Sequence, residues 1–426
     1  MHRTTATADR CRRRSLRLAA AGFGLVALGA WQAAPSAAAG LEGRASAGAS
    51  LQIAPAVSAR LSSSSQTPPR VGRLSRPLAG GKGFIYAEDG TSPTDGLTIF
   101  SVSGTTLTKI EQVAVGDSGG DYSVHILAVV RQTSGDCLEY SSGGNGTVYS
   151  FVVLANGELS ATPTDSVYLG GSPGDLAVPG TTVYVSNMTD VARTIDVLTS
   201  TPGCGLREDS MNSTGDEPTI GVIGDQVVST DLGSGDMVAY TNHDNTLTET
   251  VKEPGQFGAP YGIAVLSSGS TATVYTGQAT QGYPPDGPTG TQGYRFTGTH
   301  FSVLGGSPQF QPIGVGGTVA ASASERLFLQ GNGEACCDET GVAWDQLTPS
   351  GMAYGGTALL QDGMNAPTEM TPVGANLLVA SEYYGDLEDC ALATTGVSDC
   401  HTIATLPGAR TSVSGSTAVI IGNPPG

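Results

Sequence analysis

The stretch LGGSPGDLAVPGTTVYVSN, residues 169–187, indicates the fold of this 426-residue chain, because its first five residues return unchanged at residues 304–308. The two copies lie 135 residues apart, a distance that three units of about 45 residues would fill. After each copy the order is the same: a proline, a short apolar strand, a turn and a second strand. Repeats of this length with about four strands each are typical of a β-propeller, in which LGGSP would join one blade to the next.

The same order of strands and turns recurs along the chain and predicts seven blades. The first strand of each unit is expected near seven positions that lie 42 to 55 residues apart: Asp121, Pro173, Pro218, Pro260, Pro312, Pro367 and Ala409. The last position leaves too little chain for a whole blade, so we expect strands within residues 409–422 to complete a blade with strands from residues 84–115. Such closure removes free sheet edges. The pattern leaves open whether residues 84–87 or 418–421 form the second strand of that blade.

A two-layer β-sandwich array is the structural alternative. It explains the short strands, but it does not explain their regular phase. We therefore predict an all-β protein with one seven-bladed propeller over residues 83–426.

The N-terminal part of the chain reads as an export signal followed by a leader. Basic residues precede an apolar run over residues 18–31, and three alanines at 37–39 follow it, which is the order of a signal peptide ending near residue 39. The run is shorter than the roughly 20 residues of a membrane span, so no span is expected. The basic residues leave the Sec and twin-arginine routes both open. Residues 40–82, rich in Ala, Ser, Pro and Arg, predict a disordered leader.

Six cysteines remain once the signal is removed, and an even number in a secreted chain suggests disulfides. Cys390 and Cys400 flank eight residues, a spacing that fits a bridged hairpin or loop. The pairing of the other four is open: the neighbours Cys336 and Cys337 could bridge each other or reach Cys137 and Cys204.

The propeller region is strongly acidic. Residues 83–426 hold 36 acidic and 8 basic side chains, a net charge of −28. This charge argues against nucleic acid or an anionic membrane surface as the partner. We expect a secreted monomer whose partner is an extracellular protein, a carbohydrate or a small molecule.

The blade sequence also resembles a known group. The form P-x-G-(Ile/Leu)-A-V, a glycine turn, T-V-Y-V-S-N or T-V-Y-T, and then an N-G-x-L turn is similar to the YVTN and lactonase-like seven-bladed propellers, which include phosphogluconolactonase-type proteins. The resemblance covers roughly residues 83–426 and implies the same fold, with lactone hydrolysis as one activity. It carries over no catalytic residue, because no catalytic motif of this chain can be matched to the group.

Functional candidates are polar residues that the blade phase places at the central channel or its mouth. These positions are His125, Arg131, Asp175, Glu217, Tyr261, Glu369, Glu382 and Arg410. A hydrolase would need such groups to activate water and stabilise an oxyanion, and His125, Glu217 and Arg410 are the catalytic candidates. Asp175, Tyr261, Glu369 and Glu382 are candidates for ligand binding. A core histidine and a salt-bridged arginine are the simpler interpretations of His125 and Arg410.

Acidic residues in the loops of one propeller face suggest a hard cation such as Ca²⁺ at the channel mouth, with Asp121, Asp175 and Glu217 as candidate ligands. The simpler interpretation is that aspartate is common in turns for conformational reasons. The string GDSGG at residues 116–120 resembles the surroundings of a serine-protease nucleophile, but the only histidine before Ser118 is His2. We therefore expect a binding or scaffold propeller, with a lactonase-like hydrolase as the alternative.

Overall fold

The computed structural model describes residues 71–88, 95–116, 126–142, 144–188, 193–214, 219–231, 234–255, 260–268, 271–278, 290–310, 316–332, 341–361, 367–381, 386–406, 417–422 and 424. These residues form seven antiparallel sheets and one short 3-10 helix, Ala79–Gly81. None of the described helical residues forms a segment long and apolar enough to cross a membrane. The predicted signal peptide lies outside the described residues.

Each sheet is one blade. Three strands of blade 1 come from the N-terminal part: β1 (Lys82–Glu88), β2 (Asp95–Ser103) and β3 (Thr106–Gly116). Blade 2 holds β4 (Leu127–Val130), β5 (Cys137–Ser142), β6 (Thr147–Val152) and β7 (Asp165–Tyr168). Blade 3 holds β8 (Ser172–Ala177), β9 (Thr182–Met188), β10 (Arg193–Thr201) and β11 (Gly205–Ser213). Blade 4 holds β12 (Thr219–Ile223), β13 (Gln226–Thr230), β14 (Met237–His243) and β15 (Thr246–Glu253).

The second half of the chain continues the pattern. Blade 5 holds β16 (Pro260–Ser268), β17 (Thr271–Gln278), β18 (Gly290–Phe296), β19 (Phe301–Val303) and the short β20 (Gln309–Phe310). Blade 6 holds β21 (Gly316–Ser322), β22 (Leu327–Asn332), β23 (Gly341–Thr348) and β24 (Gly351–Leu359). Blade 7 holds β25 (Pro367–Val373), β26 (Asn376–Ser381), β27 (Asp386–Ala393) and β28 (Gly396–Thr405). The last strand, β29 (Thr417–Ile421), joins blade 1.

The predicted closure of the ring is confirmed, and its strand order is now defined. Strand β29 pairs antiparallel with β1, with Val419 opposite Ile85, so the sheet order is β29-β1-β2-β3. The first strands of the seven blades contact one another in the cyclic order β29, β4, β8, β12, β16, β21, β25. The C-terminal strand is therefore the innermost strand of blade 1, and β1 is the second.

Apolar side chains on both faces of each blade hold the ring together. The described residues form seven buried clusters, one at each boundary between neighbouring blades. At the boundary of blades 5 and 6, for example, Tyr275 stacks on Phe328 with ring centroids 4.3 Å apart. Because every blade is covered on both faces, the alternating strand pattern buries both sets of side chains.

The two LGGSP copies lie where one blade ends, as predicted, but they differ in conformation. The first copy connects β7 to β8, and its glycines Gly170 and Gly171 have φ angles of 71° and 66°. In the second copy only Gly306 has a positive φ, 77°. That copy leads into β20, which pairs back onto β18 before the chain reaches β21. The same five residues therefore make a direct connection once and a longer one the second time.

Two disulfides join described residues. The predicted bond between Cys390 and Cys400 is confirmed, and it links the adjacent strands β27 and β28. A second bond, between Cys137 and Cys204, links blade 2 to blade 3 with a Cα–Cα distance of 5.5 Å. The other two cysteines of the propeller region lie outside the described residues.

The packed structure begins before residue 83, where the sequence analysis placed the start of the propeller. The backbone nitrogen of Gly72 donates to the Ile403 carbonyl oxygen at 2.6 Å, and Leu74 and Leu78 are each only 3% exposed. Both leucines belong to the cluster between blades 7 and 1. Residues 71–78 therefore pack at the boundary of blades 7 and 1, and residues 40–70 of the predicted leader lie outside the described residues.

Candidate functional site

A cavity of about 370 Å³ lies among the innermost strands, at the centre of the ring. Residues of β4, β16, β21, β25 and β29 line it. Most of these lining side chains are aliphatic, such as Leu127, Ile263 and Val319. Small and branched apolar residues occur here because the inner strands crowd together around the ring axis. By residue type the wall is therefore mostly aliphatic, while polar atoms form nearly half of its exposed surface.

Of the described residues that line this cavity, only Glu369 is charged. It lies in β25, is 3% exposed, and its Oε1 accepts a hydrogen bond from the Thr371 hydroxyl at 3.1 Å. Its Oε2 accepts one from the backbone nitrogen of Thr417 at 3.2 Å. The hydroxyls of Thr371 and Thr417 are 2.7 Å apart. The carboxylate thus fastens the C-terminal strand β29 to blade 7.

The chemistry that this wall offers is limited. Hydrolysis of a lactone requires a group that activates water and a second group that stabilises the developing oxyanion. Besides Glu369, the polar lining residues are Thr371 and Thr417, whose hydroxyls already bond to each other. Within the described lining, one carboxylate and two threonine hydroxyls can orient a ligand, but they do not form a recognisable catalytic set.

The other predicted site residues either occupy other positions in the described parts of the chain or lie outside them. Asp175 lies in β8 and is 3% exposed, and Tyr261 lies in β16 opposite Gly277. Arg131 follows β4 and forms an ion pair of 2.6 Å with Asp136 in the turn before β5. Five candidates lie outside the described residues: Asp121, His125, Glu217, Glu382 and Arg410.

The predicted calcium ligands cannot be compared as a set, because only Asp175 of the three is described. Among the residues with described positions, no group of three or more His, Cys, Asp or Glu side chains is close enough to hold a metal ion. The acidic channel mouth is predicted from loops on one face of the propeller. Most of those loops lie outside the described parts of the chain. Calcium binding at that mouth stays a prediction.

Several acidic residues that are buried between the blades were not predicted from the sequence. Glu139 in β5 is fully buried, and its Oε1 accepts hydrogen bonds from the hydroxyls of Ser150 and Ser200, both at 3.1 Å. Burial raises the pKa of Glu139 to about 7. The local sequence CLEYSS does not indicate that this glutamate is buried and hydrogen-bonded, because one of its partners, Ser200, belongs to the next blade.

Asp345 in β23 is a second acid of this kind. Its Oδ2 accepts hydrogen bonds from the Tyr275 hydroxyl at 2.6 Å and from the Thr291 hydroxyl at 2.7 Å, across the boundary of blades 5 and 6. Burial and the neighbouring Asp345 carboxylate raise the pKa of Tyr275 well above its ordinary value. These contacts join blades and lie away from the cavity lining, so they serve the architecture.

Comparison with solved structures supports the fold. A proposed 6-phosphogluconolactonase from Bacteroides uniformis is 15% identical, with a TM-score of 0.62 over 79% of this chain and all of that one. A periplasmic gluconolactonase from Pseudomonas aeruginosa is 14% identical, with a TM-score of 0.61 over 79% of this chain and 99% of that one. A proposed 6-phosphogluconolactonase from Bacteroides fragilis is 14% identical, with a TM-score of 0.60 over 80% of this chain and 98% of that one.

No protein-family model and no curated protein matches the chain. At identities near 15% the structural likeness concerns the fold, and blades of this type host many functions. Together with the seven sheets and their closure, it shows that this chain has the predicted lactonase-like seven-bladed β-propeller fold.

Proposed function

We propose that this chain is a secreted binding propeller that takes its ligand at the central cavity and the acidic face around it. The observation that carries the proposal is the cavity wall: its described side chains are mostly aliphatic, and the one carboxylate among them, Glu369, is already bonded to Thr371 and Thr417. Such a wall can enclose the apolar part of a small molecule and orient its polar part. Among the described lining residues, no second catalytic group accompanies this carboxylate.

Secretion is supported by the sequence of residues 1–39 and by the two disulfides. Disulfides persist in oxidising compartments and are rare in the cytosol. The bond between Cys137 and Cys204 joins two blades and is fully buried at Cys137, which is what a permanent structural bridge requires. The net charge of −28 over residues 83–426 favours neutral or cationic partners over anionic ones.

The alternative is a lactonase-like hydrolase, and the fold shared with a gluconolactonase supports it. Both functions can be tested with the same purified protein. We expect no turnover of a panel of aldonolactones, with or without Ca²⁺, and a stabilising shift of the thermal midpoint by members of a small-molecule library. Lactone turnover that is abolished by Glu369→Gln, or by a substitution at His125, Glu217 or Arg410, would establish the hydrolase instead.

The variants need a control for folding, because Glu369 also fastens β29. Thr371→Val is the matched control, since it removes the hydroxyl that bonds to both Glu369 and Thr417 but leaves the carboxylate in place. If the cavity binds the ligand, Glu369→Gln should change ligand affinity more than Thr371→Val does. Equal effects in the two folded variants, judged by circular dichroism, would mean that the carboxylate acts only through the ring closure.

A further inference from the structure

A pair of buried side chains in blade 3 has oxygen atoms without hydrogen-bond donors. Asn187 lies near the end of β9 and is 0% exposed, and Asp196 lies in β10 and is 1% exposed. The Asn187 Nδ2 donates to Asp196 Oδ2 at 2.9 Å. The other two oxygens, Asn187 Oδ1 and Asp196 Oδ1, are enclosed and accept no hydrogen bond from any residue that the structure describes. Both therefore remain unsatisfied acceptors within one hydrogen-bonded pair.

The register of the sheet places this pair at the boundary of blades 2 and 3. Asp196 is opposite Val185, which is two residues from Asn187 on the same face of the sheet. Val185 packs in the cluster that joins this face to Cys137 and Val148 of blade 2. The pair is thus covered by a neighbouring blade, and the solvent that would supply donors at the surface is excluded.

An enclosed carboxylate with a free acceptor atom needs a positive or donating partner, because burial of an uncompensated charge is strongly unfavourable. The neighbouring charge that acts on Asp196 is Glu208, which is also negative. Burial is the main cause that raises the pKa of Asp196 to about 6, so the group is mostly ionised at neutral pH. The side chains of Asn187 and Thr194 donate toward the carboxylate and offset part of this rise in pKa, and the Thr194 hydroxyl adds a third oxygen to the site.

We propose that Asn187, Thr194 and Asp196 bind a monovalent alkali cation at the boundary of blades 2 and 3. Their carboxylate, amide and hydroxyl oxygens are the hard donors that such ions prefer. One carboxylate balances one positive charge, which favours Na⁺ or K⁺ over a divalent ion. A buried water could also donate to the two oxygens, but it would leave the charge of Asp196 uncompensated.

The site is separate from the central cavity, and its test does not depend on the proposed function. Thermal unfolding of the purified protein would be followed at pH 7.5 in NaCl, KCl and choline chloride at equal ionic strength. Binding of an ion to the folded state alone raises the midpoint as its concentration rises. We expect a midpoint about 3 °C or more higher in at least one alkali salt than in choline chloride.

Two variants assign the effect to this site. Asp196→Asn should abolish the difference between alkali and choline salts, whereas Glu249→Gln, an exposed control in β15, should keep it. Asn187→Asp adds a second carboxylate, so its stability should depend more steeply on the cation, with Ca²⁺ now effective. This variant and the wild-type titration decide the question even if Asp196→Asn does not fold. Equal wild-type midpoints in all three salts would overturn the proposal and leave a buried water as the occupant.

Discussion

Replacement of Glu139 by glutamine should make the stability of the propeller less dependent on pH. Glutamine keeps the shape of the side chain and an oxygen that can accept from the Ser150 and Ser200 hydroxyls, but it does not ionise. The other carboxylate oxygen, Oε2, is buried without a partner, so the ionised form of Glu139 is poorly compensated in the folded protein.

The size of the effect follows from the pKa of Glu139, which is about 7 in the folded protein against 4.5 for the free side chain. Below pH 4.5 both the folded and the unfolded protein carry the proton, and the carboxyl costs no stability. Between pH 4.5 and 7 the unfolded chain ionises while the folded protein keeps its proton, so the free energy of unfolding falls as the pH rises. The total loss by pH 8 is about 3 kcal/mol.

The assay is urea unfolding of wild type and Glu139→Gln between pH 4.5 and 8. The free-energy difference, variant minus wild type, should rise with pH by about 3 kcal/mol and level off above pH 7. Burial of the glutamine amide adds a free-energy cost that does not depend on pH. It shifts the free-energy difference by the same amount at every pH and leaves the slope against pH unchanged. The exposed substitution Glu249→Gln should give no comparable slope. Parallel pH profiles for wild type and Glu139→Gln would refute the reasoning.

Three further predictions concern the ring. Replacing Cys137 and Cys204 by alanine releases a bridge across 67 residues and should lower the free energy of unfolding by about 4 kcal/mol, measured in urea. Tyr275→Phe removes a buried hydrogen bond to Asp345 and should cost about 1.5–3 kcal/mol in the same measurement. Deletion of residues 417–426 removes the innermost strand of blade 1 and should produce dimers or aggregates in size-exclusion chromatography, through the exposed edge of β1.

Each of these changes has a matched control. The bond between Cys390 and Cys400 spans only 10 residues within one blade, so its removal should cost less than removal of the bridge between blades. Tyr354 is 40% exposed, and Tyr354→Phe should leave stability nearly unchanged. Deletion of residues 423–426 alone should leave the protein monomeric. A monomeric, fully stable product after deletion of 417–426 would show that β29 is dispensable for closure.

The number of blades could be predicted because the residues that build a blade recur in the sequence. Prolines stand near the start of five of the seven predicted inner strands, and LGGSP recurs at two of the passages between blades, so together they mark the repeat. The order of the closing strands was harder, since β1 and β29 are both short apolar stretches. Chain direction decides it: β3 must be the outer strand that leads to blade 2, so the missing strand of blade 1 is the innermost.

The acids between blades could not be predicted for a different reason. Alternation along a strand tells which residues share a face, but both faces of a propeller blade are buried, so it does not separate buried acids from exposed ones. Glu139 accepts a hydrogen bond from Ser200, which is 61 residues away in another blade. Such a partner follows from the packing of neighbouring sheets and leaves no trace in the spacing of residues within one repeat.

The position of Glu369 could be predicted from the sequence, but its contacts could not. Its place on an inner strand follows from the blade phase, and the structure finds it in the wall of the central cavity. Its bond to Thr417 could not be foreseen, because the two residues meet only across the seam where the ring closes. One carboxylate thus lines the cavity and holds the closing strand. A ligand that donates hydrogen bonds to Glu369 competes with Thr371 and Thr417 for its oxygens, so it must be judged by its effect on ring stability as well as by its affinity.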